Sequence, residues 1–120
     1  MFDRAVFSVL VGNVDDHMRN FGFLRRGATW ELSPHFDVNP DVHGNLSHTP
    51  LVTGADPAVR DLRQLLDRAE SFSLRPDEAL RRCRQLQDVV ATWPQVARRL
   101  GAEAGEFRLM RRAFATDMRH

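Results

Sequence analysis

Several residue types are scarce or missing in this chain of 120 residues. Its single cysteine, Cys83, excludes an internal disulfide and any metal site built from several cysteines. No apolar run approaches the roughly 18 to 20 residues that cross a bilayer. The N-terminus also lacks the basic, apolar and cleavage regions of a signal peptide. These absences predict a cytoplasmic protein without a membrane-spanning segment.

Lysine is absent as well, so that all 17 basic residues are arginines. Any phosphate-binding or catalytic lysine that the protein needs must therefore come from outside this chain. The basic residues are nearly balanced by 16 acidic ones, which leaves a net charge of +1. Because no global positive field attracts nucleic acid, direct nucleic-acid binding is not expected.

The residues that are present predict one domain that begins with a helix and a hairpin. Apolar residues at helical spacing predict a helix over residues 2–11, and Gly12 is placed to end it. Strand-forming residues at 21–24 and 29–32 flank a turn at 25–28, which predicts a β-hairpin. We expect Trp30 to pack within that hairpin.

The second half of the chain has the pattern of a helical bundle. Residues 33–56 show no periodicity and predict a long loop. After the loop we expect four helical segments. The first begins at Asp56-Pro57 and the second near Pro76, and the last two cover residues 95–100 and 103–118. The predicted fold class is therefore mainly α, with a small hairpin followed by a helical bundle.

Polar chemistry is concentrated in two short stretches beside these elements. The first is Asn13-Val14-Asp15-Asp16-His17-Met18-Arg19-Asn20, and the second, Ser33-Pro34-His35-Phe36-Asp37-Val38-Asn39-Pro40, follows the hairpin and contains Asp37. Protein kinases use an Asp, an Asn five residues later, and a further Asp after a short strand pair. Asp15, Asn20 and Asp37 have this spacing. Carboxylate and amide oxygens are also suitable ligands for Mg²⁺.

Residues 11–24 and 30–40 closely resemble the HipA-like kinases, the toxin members of bacterial type II toxin–antitoxin pairs. That family has a catalytic segment of the form G-N-x-D-D-H-x-[RK]-N-[FH], matched here from Gly12 to Phe21. It also has a metal segment of the form L-[ST]-P-x-[YF]-D, matched from Leu32 to Asp37. The helical remainder agrees with the family only in general layout.

The resemblance implies a role for each matched residue. Asp15 would be the catalytic base that orients a serine or threonine hydroxyl of a protein substrate. Asn20 and Asp37 would hold Mg²⁺ with ATP. The supporting residues of the same loop would be Asp16, His17 and Arg19. We expect the histidine and the arginine to shape the loop or contact phosphate.

The resemblance also implies an architecture and partners. Residues 1–120 would form a kinase-like C-lobe, with the catalytic and metal loops in 1–40 and the helical part in 56–120. The N-terminal lobe, which supplies a phosphate-binding loop and a lysine in the family, is missing. The expected partners are ATP, a protein substrate, and either a HipB-like DNA-binding antitoxin or a separate N-terminal lobe chain. We predict that residues 1–120 alone do not turn over ATP.

Two other functions compete with this interpretation. The chain could be a non-catalytic remnant or split subunit that acts by binding a partner. It could also be a metal-dependent phosphoesterase built on a cluster of acidic residues and histidines. The cluster would comprise His35, Asp37, Asp41, His43 and His48. Since no two of these have the close helical spacing of a zinc motif, a solvated loop is the favoured interpretation of the histidines.

Overall fold

The structure of the protein, a computed structural model, is mostly helical with one small antiparallel sheet. It describes residues 1–14, 22–34, 38–43, 45, 47, 50–56 and 58–114. The elements are α1 (Phe2–Leu10), β1 (Phe23–Arg26), β2 (Thr29–Leu32), α2 (Leu62–Asp67), a 3-10 helix (Ala69–Phe72), α3 (Pro76–Val90), α4 (Trp93–Arg99) and α5 (Ala104–Ala113). The mainly α class with a hairpin is thus confirmed. Within the described ranges, no helix has the length and apolar character needed to cross a membrane.

Helix α1 supplies the centre of the hydrophobic core. Val6 and Leu10 are fully buried, because the apolar side chains recur at the spacing that places them on one helical face. This face packs against α2 and α3, where Leu65 and Cys83 are also fully buried. Burial raises the pKa of the Cys83 thiol to about 11, in keeping with the expected core position.

The hairpin forms where it was predicted, but its turn is shorter. Only Gly27 and Ala28 connect the strands, and Gly27 has a positive φ of 61°. Glycine adopts this conformation without steric cost, so the strands extend through Arg26 and pair it with Thr29. The expectation for Trp30 was wrong: its side chain is 67% exposed.

Helix α2 begins later than the sequence predicted. The carboxylate of Asp56 accepts a hydrogen bond from the Ala58 backbone N–H at 2.9 Å, which makes a local turn and not a helix N-cap. The N-cap is Asp61, whose side chain accepts from the backbone N–H of Arg63 at 2.9 Å. The prediction of a helix start at Asp56-Pro57 was therefore wrong.

The last three helices largely follow the sequence pattern. Pro76 lies at the start of α3 and Pro94 at the start of α4, positions that tolerate proline. A capping box between Glu103 and Glu106 begins α5. The closing helix was predicted to continue to residue 118, but α5 ends at Ala113 and the backbone of Phe114 is extended.

Candidate functional site

The polar segment at the end of α1 begins with a glycine that has two constraints. Gly12 has a φ of +71°, a conformation that L side chains rarely adopt. A Cβ atom built on Gly12 would also lie 2.9 Å from the carbonyl carbon of Ala113 and overlap the carbonyl oxygen of that residue. The end of α5 therefore contacts the backbone that leads into the predicted catalytic loop.

Asn13 is held inside the protein and does not face solvent. Its side chain is buried, and its Nδ2 atom lies 3.4 Å from the Oγ of Ser8, which is also buried. Its backbone N–H donates to the Ser8 carbonyl at 2.8 Å. The Asn13 carbonyl accepts from the Arg60 guanidinium at 3.5 Å. Sequence analysis gave Asn13 no role, and the structure shows that it fixes the start of the loop.

Two backbone hydrogen bonds join the chain on either side of the predicted catalytic and metal segments. The Gly12 carbonyl accepts from the Asp41 N–H at 2.8 Å, and the Gly22 carbonyl accepts from the Ser33 N–H at 2.7 Å. A third bond runs from the Arg4 guanidinium to the Ser33 carbonyl and ties α1 to the end of β2. We call the described backbone around these bonds the loop frame; it comprises Gly12–Val14, Gly22, Ser33–Pro34 and Val38–Asp41.

The predicted site residues themselves lie outside the described residues. They are Asp15, Asp16, His17, Arg19, Asn20 and Asp37. Their assignments as catalytic, supporting and metal-binding residues stay predictions. What the described residues provide is the loop frame, whose residues precede and follow both segments along the chain.

Asp41, one of the residues weighed for a metal cluster, is already engaged. Its two carboxylate oxygens accept from the backbone N–H and the side-chain amide of Asn45, at 2.7 and 2.8 Å. Desolvation raises the pKa of Asp41, but the hydrogen bonds from Asn45 and His43 and the charge of His43 together lower it below its ordinary value. The Asp41 carboxylate thus stabilises a turn.

The histidine and acidic residues expected of a phosphoesterase site are only partly described. His43 is exposed, and the described residues contain no group of three His, Cys, Asp or Glu side chains that could hold a metal ion. His35, Asp37 and His48 lie outside the described residues. The described part of the chain therefore offers no support for this alternative.

Comparison with known proteins agrees with the motifs. The family model of the HipA-like C-terminal domain matches residues 1–93, which include α1, the hairpin, the loop frame, α2 and α3. Helix α5 and all but the first residue of α4 lie beyond the match. No curated protein and no solved structure matches the chain. The match covers well over half of the sequence, and the chain therefore belongs to the family of HipA-like C-terminal domains.

Proposed function

We propose that this chain is the C-lobe catalytic portion of a HipA-like serine/threonine protein kinase, the toxin of a toxin–antitoxin pair. The loop frame is the observation that carries the proposal. Asp15 is three residues from Gly12, and Asp37 is four residues from Asp41, the two residues joined by the 2.8 Å hydrogen bond. Only three and four residues, each spanning at most about 3.6 Å, separate the two aspartates from this junction, and these short connections support a shared site for Asp15 and Asp37.

The same argument applies to the proposed metal ligands. Asn20 precedes Gly22 by two residues, and Asp37 follows Ser33 by four, while Gly22 and Ser33 are joined at 2.7 Å. An amide oxygen and a carboxylate suit Mg²⁺, which commonly binds one or two carboxylates together with substrate phosphates. When bound, the ion would neutralise charge on the ATP phosphates.

Asp15 would act on the substrate hydroxyl in this mechanism. Its carboxylate accepts the hydroxyl proton and orients the oxygen towards the γ-phosphorus of ATP. A new oxygen–phosphorus bond forms as the bond between the γ-phosphorus and the bridging oxygen breaks, and ADP leaves. Asp16, His17 and Arg19 would shape the loop around this centre. The substrate would be a serine or threonine side chain of a protein.

The proposal includes the expectation that the isolated chain binds Mg·ATP weakly and does not turn it over. The family's phosphate-binding lysine has no counterpart here, because the chain contains no lysine. An N-terminal lobe, either in the same polypeptide or on a separate chain, would supply it, and a HipB-like DNA-binding antitoxin is the other expected partner. Steady, Asp15-dependent phosphorylation of a protein by the purified 120-residue chain would contradict this part.

Mg²⁺-dependent ATP binding tests the site itself. We expect Asp37→Asn to weaken Mg·ATP binding in calorimetry by at least about tenfold, because changes to residues that merely support metal ligands already cost about 10- to 100-fold. Asp88→Asn is the matched control, since it makes the same change at an exposed aspartate of α3, outside the loop frame. Equal affinity of wild type and Asp37→Asn would remove Asp37 as a ligand. Binding without Mg²⁺ dependence would favour the non-catalytic alternative.

A further inference from the structure

An apolar groove of about 500 Å³ lies where α4 and α5 meet the family-matched part of the chain. Apart from Thr92, all its lining residues are hydrophobic or proline. They include Val38 of the loop frame, Val89 of α3, Val96 of α4, Leu100 at the end of α4, and Met110 of α5. A second cavity of about 480 Å³ adjoins it and shares Leu100 and Met110. The two form one largely apolar surface, which we call the apolar groove; the one charged residue that lines it is Glu106, whose carboxylate accepts from the Glu103 backbone N–H at 2.7 Å.

The side chains of this groove are exposed to an unusual degree. Leu100 is 82% exposed, Val89 66% and Val96 40%. None of the residues of α4 is buried, although Trp93 stacks on Phe114 with ring centroids 5.0 Å apart. Contiguous apolar patches of this kind commonly mark interaction sites, since exposing them to water is costly. The volume and lining suit the apolar face of a helix, as in helix-in-groove recognition.

The segment that contains helices α4 and α5 is basic. Residues 93–114 carry five arginines and two glutamates, a net charge of +3, whereas the whole chain is at +1. Both glutamates take part in the capping box of α5. Four exposed arginines have no ion pair with any described carboxylate: Arg99, Arg108, Arg111 and Arg112. Helices α4 and α5, which line the groove, therefore favour an acidic partner through these arginines, which we call the arginine rim.

We propose that the apolar groove docks an amphipathic α-helix of another protein, with Asp and Glu residues beside its apolar face. A second copy of this chain fits less well, because no α-helix of the described chain carries net negative charge. Nucleic acid fits less well too, since its protein interfaces are polar whereas this groove is apolar. The arginines supply attraction and orientation, and the groove supplies the buried contact area.

A pair of synthetic peptides tests the chemistry of the partner with the full chain. Both have about 18 residues, enough to form a helix on binding, with Leu at i, i+3, i+4 and i+7. One carries Glu beside the leucines and the other carries Lys. Fluorescence anisotropy is expected to show binding of the Glu peptide that weakens as salt is raised, and at least about tenfold weaker binding of the Lys peptide.

Groove variants locate the binding surface. Val96→Ser combined with Leu100→Ser should weaken binding of the Glu peptide by about tenfold or more, because two apolar contacts are lost. Val59→Ser is the matched control, as Val59 is 44% exposed and does not line the groove. All of these side chains are partly or largely exposed, so the variants should keep the wild-type circular dichroism.

Charge variants test the arginine rim in the same assay. Arg99→Gln combined with Arg112→Gln should weaken binding about two- to tenfold at low salt, and the difference should vanish at high salt. Arg84→Gln, an exposed arginine of α3, should leave binding unchanged.

Several outcomes would overturn the proposal. They are no binding of the Glu peptide, equal binding of the Lys peptide, and binding unaffected by the groove variants. Self-association in sedimentation equilibrium that Leu100→Ser abolishes would assign the groove to a second copy of the chain. Duplex DNA that competes with the Glu peptide and depends on the same groove residues would assign it to nucleic acid.

Discussion

The contact between Gly12 and α5 predicts a large stability difference between two glycine substitutions. Gly12→Ala adds one methyl group to a residue with a φ of +71°, directly against the Ala113 backbone. Gly101→Ala adds the same group at a φ of +82°, with no atom within 4 Å of the new Cβ. The two variants share the backbone penalty, and only Gly12→Ala has the steric one.

The magnitudes follow from these two terms. A left-handed conformation costs a non-glycine residue about 1 to 2 kcal/mol. Forcing an extra methyl group into a packed site costs about 1 to 3 kcal/mol more, and here the obstacle is backbone that cannot change its rotamer. We therefore expect Gly12→Ala to lower the free energy of unfolding by about 2 to 5 kcal/mol and Gly101→Ala by about 1 to 2 kcal/mol. Domains of this size are typically stable by only about 5 to 15 kcal/mol.

Urea unfolding followed by tryptophan fluorescence measures this difference. Trp93 stacks on Phe114, the residue after Ala113, so its emission reports on the position of α5. Trp30 is 67% exposed and contributes a nearly constant signal. With a slope of about 2 kcal/mol per molar urea, Gly12→Ala should lower the midpoint by about 1 to 2.5 M. An equal shift for the two glycine variants would refute the close approach of α5 to Gly12.

Two further predictions concern buried polar groups. Asn13→Ala should lower the free energy of unfolding by about 1 to 3 kcal/mol, because the buried Ser8 hydroxyl loses its amide donor. Asn45→Ala, at an exposed residue, should lower it by less than about 1 kcal/mol. Equal losses for the two variants in urea unfolding would contradict the interior role of Asn13. The raised pKa of Cys83, about 11 against 9.0 for a free thiol, means that the native state holds this proton more tightly than the unfolded state. Stability should therefore fall as the pH rises from about 9 to about 11, and Cys83→Ala should show a smaller decline over that range; identical pH profiles would contradict the raised pKa.

Local features of the fold could be predicted from the sequence. Helix α1 and helix α3 have regular apolar spacing and clear ends, at Gly12 and Pro76, so periodicity was sufficient. The predicted start of α2 was wrong because two aspartates precede the helix and sequence alone does not show which of them caps it. Asp56 closes a turn onto Ala58, and Asp61 caps the helix, a difference that only the backbone geometry reveals.

The candidate site was predicted from a different kind of signal. Its candidate residues followed from a motif with fixed spacing and from the family resemblance, and the family is confirmed. Contacts between distant parts of the chain could not be predicted, because a single sequence contains no signal that pairs Gly12 with Asp41 or with Ala113. The lack of long-range information also explains why the end of α5 was predicted wrongly: the apolar pattern continues to residue 118, whereas the helix ends at Ala113.

The position of α5 against Gly12 has a consequence for how two ligands would affect each other. The apolar groove and the backbone leading to Asp15 share one element, since Met110 lines the groove and Ala113 contacts Gly12. If a docked helix shifts the equilibrium position of α5, it would change the nucleotide affinity of the proposed kinase site. Thermodynamic linkage then requires nucleotide to change the affinity for the docked helix by the same factor. A partner helix bound in the apolar groove would thereby act as an allosteric effector of the proposed nucleotide site.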